Sequence, residues 1–423
     1  MVNKEYESDI QRREKMHKKI LIAALILGMV LTACGPAVQE QTTQEIPTEQ
    51  PTQLAATEST QATTEPTQAA TVPDTIKIGF VAPLTTANAL MGWSMQQGAQ
   101  LAAQEINDAG GINGVPLELI IEDNSNTADV AVNAINRVLS ENPVALILGS
   151  TSAQTLAMEP IILENTLPTI IMGSSPSLTD QGNPWVFATR ADDGFAATAA
   201  VKFAVEDLGA KKVGIFHAAE EFGTSVAPII ISALAEYGLE PAAVVSAPST
   251  DKDYSAQLLE LQAADVDVIL VWVLPAPGIL LARQMKQLGM DTPVVANPVF
   301  GLSQVLVLMT PEELAGIYSM TDCVPSQSTD EKILAFVQAY KDRTGTTPDL
   351  FGALSYDSVK LFADVITQVG TDLAAIQAGL FAVTGWPGVC HNYSFDAKGR
   401  GGYDISTVDI STGTLKVVGT VSK

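Results

Sequence analysis

Residues 74–124 read DTIKIGFVAPLTTANALMGWSMQQGAQLAAQEINDAGGINGVPLELIIEDN, and their pattern decides the fold class. IKIGFV at 76–81 and LELIIED at 117–123 are short apolar runs of the kind buried on both faces of a parallel sheet. Between them, MQQGAQLAAQEINDAGG places Leu101, Ala102, Glu105 and Ile106 on one helical face and stops at Gly110-Gly111. The unit is a βαβ crossover. VALILG at 144–149 and LPTIIM at 167–172 continue the alternation, and a second set follows: KKVGIFH at 211–217, PAAVVS at 241–246, VDVILVWV at 266–273 and TPVVAN at 292–297. The tail differs. Helical patterns at about 330–343, 353–369 and 372–382 precede strand-like CHNYSF, YDISTVDI and LKVVGTV. The pattern predicts an α/β protein with two similar sheets in succession, and three late helices that lack enough strands to form a domain alone.

The chain has 423 residues, 47% apolar and 17% charged, enough for two or three domains with real cores. Against 23 Lys and Arg stand 47 Asp and Glu, a net charge of −24. Such a surface cannot neutralise phosphates, so nucleic-acid binding is excluded, and so is an electrostatic grip on anionic lipid. Three Cys and three His argue against a multi-ligand metal site, and no cofactor is expected. The sequence has no G-x-S-x-G, no G-x-G-x-x-G after a strand and no Walker loop, so no enzyme activity is expected. His217 and His391 read as structural.

Ile20–Ala33, ILIAALILGMVLTA, follows Lys18-Lys19 and precedes Cys34-Gly35, the layout of a signal peptide. Fourteen helical residues span about 21 Å, short of the roughly 30 Å hydrocarbon core of a bilayer. Leu31-Thr32-Ala33-Cys34 resembles the bacterial lipobox, which implies cleavage before Cys34 and lipidation of its thiol. Met16-His17-Lys18-Lys19 itself begins a compact signal, making Met16 an alternative start. Loss of 1–33 leaves 17 basic and 43 acidic residues. From Cys34 to residue 73 the chain is Thr, Gln, Glu, Pro and Ala, too polar to offset chain entropy, and reads as a disordered tether with a reach on the order of 30–40 Å.

The opening block, AAQEINDAGGINGVPLEL in particular, resembles the leucine/isoleucine/valine-binding proteins, the extracytoplasmic receptors of branched-chain amino-acid ABC transporters. GSTSAQTLAMEPI from Gly149, GSSPSLTDQG from Gly173, Arg190 to Asp193, FGTS from Phe222, DYSAQLLELQAADVDVIL from Asp253 and LSYDSV from Leu354 extend the resemblance over 74–423. It implies the type I periplasmic binding protein fold, two Rossmann-like lobes joined by a three-stranded hinge. Lobe 1 would comprise 74–192 and 326–385, and lobe 2 would comprise 193–325 and 386–423. The implied protein is a monomer, anchored outside the cytoplasm by its lipid, that closes over a small amino acid or carboxylate and delivers it to ABC permease subunits.

The resemblance also implies a site. Ser152, Ala153, Ser174 and Ser175 follow strands and would supply donors to an α-carboxylate, the alternative reading being ordinary helix N-caps. Met91, Trp93, Phe222, Trp272, Phe351 and Tyr356 would wall the cleft, with core packing as the alternative. Leucine-type receptors hold the ammonium with a second-lobe acid, whereas the loop here reads NPVFGLS (297–303) without one. A buried ammonium lacking a counter-charge costs several kcal/mol. Either Asp193 or Glu220/Glu221 substitutes, or the solute is an aromatic acid, amide or other carboxylate. Cys323 and Cys390 have two readings, a disulfide or two thiols. A ligand-sensing module of the same fold and an exported amide hydrolase are the competing functions.

Overall fold

The computed structural model describes residues 74–422; the expected signal segment 1–33, Cys34 and the tether to residue 73 lie outside them. Each apolar run of the first half becomes a strand: β1 (Ile76–Ala82), β2 (Leu117–Asp123), β3 (Ala145–Leu148) and β4 (Thr169–Ile171). A short β5 (Val186–Ala188), unmarked by the sequence pattern, follows. Helices α1 (Ala89–Asp108), α2 (Ala128–Ser140), α3 (Ser152–Glu164) and the one-turn α4 (Ser177–Asp180) return the chain between them. All pairings are parallel, in the order β2-β1-β3-β4-β5. All four side chains of β3 are fully buried, as a central parallel strand covered on both faces requires.

The second half repeats the scheme with α5 (Asp193–Lys202), β6 (Val213–Ala218), α6 (Glu221–Glu236), β7 (Ala243–Ala247), α7 (Ser255–Ala263) and β8 (Val268–Trp272). It continues with α8 (Pro275–Gln287), β9 (Val294–Ala296), the short α9 (Ser303–Leu306) and α10 (Pro311–Leu314), and β10 (Ile317–Thr321). The helices α11 (Glu331–Thr344), α12 (Leu350–Val369) and α13 (Leu373–Ala382) come next. A small hairpin, β11 (Trp386–Pro387) and β12 (Asn392–Tyr393), precedes β13 (Asp404–Asp409) and β14 (Lys416–Ser422). The second sheet has the order β14-β13-β10-β9-β8-β6-β7, parallel except for β13 and β14 at one edge.

The late helices pack on the first sheet's side. Gly98 of α1 lies so close to α12 that an added Cβ would sit 2.0 Å from the Gly352 carbonyl oxygen. Beside that crossing, buried Ser94 donates to Asp349 Oδ1 at 2.6 Å and pairs with the Tyr340 hydroxyl at 3.0 Å, while Asp349 caps α12. The hairpin rests on the same body: Asp357 of α12 accepts from the Val389 and Cys390 amides and the Tyr393 hydroxyl. Phe395 packs on Phe187 of β5, with ring centres 5.2 Å apart. Residues 386–395 therefore contact first-sheet elements, although sequence organisation groups them with the second sheet.

Three connections between the sheets run side by side, at 189–192, 322–330 and 394–403. Gly401 N donates to Ala188 O and Ala191 N to Asp322 Oδ1, both at 2.8 Å. Cys323 and Cys390 are bonded, with a Cα–Cα distance of 5.3 Å, which ties the second connection to the hairpin.

On α3, Glu159 is buried with Oε1 lacking a partner among the described residues, and burial pushes its carboxyl up from 4.5 to about 7. A raised carboxyl stabilises the fold below its unfolded value, and that contribution is lost as pH rises through about 7. Glu159→Gln is accordingly expected to be more resistant to urea than wild type at pH 8, with the two curves converging by pH 4.

Candidate functional site

A cleft separates the two sheets at the carboxyl ends of their strands, where open α/β sheets present loops and helix N-termini. On the first-sheet side, Met91 and Met95 project from α1, Ser150, Thr151 and Ser152 lead into α3, and Met172, Gly173 and Ser174 follow β4. Arg190 and Asp193 come from the first connection and Phe351 from α12. The second-sheet side supplies Phe222, Val273–Pro275, and Asn297, Pro298, Val299 and Leu302.

The donors lie on one side. Thr151, the N-cap residue of α3, makes no side-chain cap, so the first-turn N–H groups stay available and carry the positive end of the helix dipole. Ser152, the first helical residue, accepts from Ser175 N at 3.2 Å and keeps its own proton to donate. The hydroxyls of Ser174 and Ser175 are turned onto acids, Asp193 at 2.7 Å and Glu221 at 2.8 Å. Opposite, α8 opens Pro275-Ala276-Pro277, and the two prolines remove two N–H groups from its first turn. That mouth is apolar.

Charge is placed as sharply. Arg190, 6% exposed, pairs with Asp322 at 3.3 Å and lies 5.5 Å from the Phe351 ring centre. Although burial opposes it, the Asp322 carboxyl is held below its ordinary value by Arg190, His391 and the Ala191 N–H. Asp193 is fully buried and lines the cleft; Oδ2 accepts from Ser174, Oδ1 makes no close hydrogen bond among the described residues, and the Trp272 indole N–H lies beside the carboxyl. Burial pushes Asp193 up to about 6, against the Arg190 charge, the Ser174 hydroxyl and the Trp272 indole N–H. One buried cation thus serves two acids, leaving Asp193 poised for a cationic partner.

The structure brings Ser152, Ser174, Asp193, Met91, Phe222 and Phe351 to the cleft wall, with Ser175 directly behind it. Ala153, Trp93, Trp272 and Tyr356 are not on that wall. Ala153 is half-buried on α3, and Trp93 sits about 200° around α1 from Met91. Trp272 is fully buried in the second core, and the Tyr356 hydroxyl donates to Glu105 at 2.6 Å. Glu220 accepts from Ser249 and Glu221 from Ser175 and Ser177, and neither lines the cleft. Met95, Met172, Arg190, Val273, Pro275 and Asn297 escaped sequence reasoning. Of these Met95 was accessible to it, four residues after Met91 on one helical face.

Residues 75–414 match the family of periplasmic binding proteins. The chain belongs to that family. Among its relatives, the leucine-, isoleucine-, valine-, threonine- and alanine-binding protein of Pseudomonas aeruginosa is 28% identical over 333 residues, covering 77% of this chain and 87% of the relative. The branched-chain amino acid transporter substrate binding protein of Streptococcus pneumoniae, solved with isoleucine, superposes with a TM-score of 0.76 at 27% identity, covering 82% and 99% of the two chains. A solute-binding protein from Rhodopseudomonas palustris, solved with benzoate, shares the fold with a TM-score of 0.75 at 18% identity, covering 82% and 96%. This periplasmic binding protein is of the ABC-transporter type, an extracytoplasmic solute binder rather than an enzyme.

Proposed function

We propose that this periplasmic binding protein captures a small α-amino acid with an apolar side chain and delivers it to an ABC permease, held at the membrane by a lipid on Cys34. The observation that carries the reading is a buried acid, Asp193, whose Oδ1 makes no close hydrogen bond among the described residues, in a cleft that also holds the uncapped first turn of α3 and Met, Phe, Val, Leu and Pro side chains. A zwitterion satisfies both poles. Its carboxylate meets Ser152 and the α3 N–H groups, its ammonium meets Asp193, and its tail lies against Met91, Met95, Met172, Phe222 and Phe351. In this reading the lobes, 74–192 with 326–385 and 193–325 with 386–423, close by bending at the three connections, and the hairpin at 386–393 rides with the first.

The amino-acid-binding relatives support this choice over an aromatic acid. A benzoate-like ligand would leave Asp193 facing an apolar ring. A thermal-shift panel tests the reading, since a bound ligand raises the midpoint by mass action. L-Leucine and L-isoleucine are expected to raise it, whereas isovalerate, which lacks the ammonium, and isopentylamine, which lacks the carboxylate, should not. A shift with benzoate and none with either amino acid would overturn the zwitterion reading in favour of an aromatic-acid receptor or sensor.

A further inference from the structure

We infer that Glu221 is a positioning residue whose carboxylate clasps the two lobes shut and sets how long a solute stays bound. Its Oε1 accepts from the hydroxyls of Ser175 and Ser177, each at 2.8 Å, and Ser175 lies 3.1 Å from Ser225 Oγ one turn further along α6. The two donors follow β4 of the first sheet, whereas Glu221 and Ser225 belong to the second-sheet helix α6. Every bond in the cluster between these elements joins the two lobes beside the cleft and is lost on opening. A carboxylate accepting two hydroxyls is the stronger, charge-assisted kind of hydrogen bond.

The clasp is wired to the pocket on both sides. On the first-sheet side, the Ser175 amide donates to Ser152 Oγ at 3.2 Å, so the segment holding Glu221 also orients a cleft hydroxyl. On the second-sheet side, Phe222 follows Glu221 directly and lines the cleft, so engaging the clasp seats the ring over the solute. Glu221 itself does not line the cleft, and its Oε2 is buried without a partner among the described residues. Opening returns that oxygen to water, which keeps the clasp reversible. At another rim, Ser303 donates to Thr347 O at 2.8 Å, a single neutral bond. Glu220 supplies a built-in comparison: it accepts from the Ser249 amide and hydroxyl within the second lobe and bridges nothing.

The inference rests on the cleft-closure reading above, and the test separates the two. L-Leucine release is followed by stopped-flow for wild type, Glu221→Ala, Ser177→Ala and Glu220→Ala, and the closed fraction by small-angle X-ray scattering with and without leucine. Glu221→Ala is expected to release leucine about 10-fold faster, given the usual strength of hydrogen bonds to a charged acceptor. Ser177→Ala, which removes one donor and leaves Glu221 in place, should release it about threefold faster. Glu220→Ala should stay within twofold of wild type. Release at the wild-type rate from both Glu221→Ala and Ser177→Ala would overturn the clasp. If wild type takes up no leucine, the amino-acid reading fails separately, and the clasp is judged on leucine-free scattering. A smaller closed fraction in Glu221→Ala or Ser177→Ala than in wild type upholds it, and equal fractions overturn it.

Discussion

Asp193→Asn is expected to weaken L-leucine binding by about 100-fold or more, because removing one member of a buried charge pair costs roughly 3–5 kcal/mol. The side chain keeps its volume and its place beside Ser174, so the loss reports charge and not packing. A pH dependence follows. Asp193 is pushed up from 3.8 to about 6 by burial, so a proton competes with the ammonium below that value. Wild-type affinity should fall as pH drops below about 6, by roughly tenfold per unit at the limit, while the asparagine variant stays flat over that range. Stability runs the other way. A carboxyl with a raised folded value stabilises the protein below 3.8 and loses that contribution as pH rises through about 6. Asparagine carries no charge at any pH, so the ligand-free variant should melt at or above the wild-type midpoint at pH 8. Calorimetric titration checks the first expectation, and an affinity within threefold of wild type would remove Asp193 from the ammonium site.

Gly98→Val is expected to destabilise the protein by about 3 kcal/mol or more, the upper end of overpacking effects. The new Cβ would meet the Gly352 carbonyl 2.0 Å away, and that oxygen is helix backbone that cannot swing aside like a side-chain tip. For some 350 described residues this corresponds to a midpoint lowered by roughly 4 °C. Gly419→Ala is the control, because nothing lies within 4 Å of its added Cβ. Thermal unfolding of the two variants tests whether α12 and α1 form one body. A Gly98→Val midpoint equal to that of wild type would mean the helices are not in close contact.

How much of this was legible depended on the length of the apolar runs. Strands β1 to β4 and β6 to β9 were readable because short runs dense in Val, Ile, Leu and Ala recur between helical stretches, densest in the central β3 and β8, which are buried on both faces. Three strands were not, among them the two-residue β11. β5 has only three residues, and β10, Ile-Tyr-Ser-Met-Thr, mixes polar with apolar positions. Both immediately precede a crossing between sheets, so the connections themselves were the least visible part of the fold. In the site, loops after strands were readable because the parallel sheet aims them at the cleft. Side-chain direction was not. Phe351 faces the cleft, whereas Tyr356, about 140° further around α12, meets Glu105. The use of Ser174 and Ser175 on acids rather than on a solute could be seen only once Asp193 and Glu221 were placed in space.

A crystal structure with L-leucine bound measures the central claim directly, through the distance from the ligand's ammonium nitrogen to Asp193 Oδ1. The account predicts a hydrogen bond, about 3.2 Å or less, with the carboxylate on Ser152 and the first turn of α3 and the side chain among the methionines. Leucine bound with its ammonium turned away from Asp193, or with its carboxylate remote from α3, would contradict it.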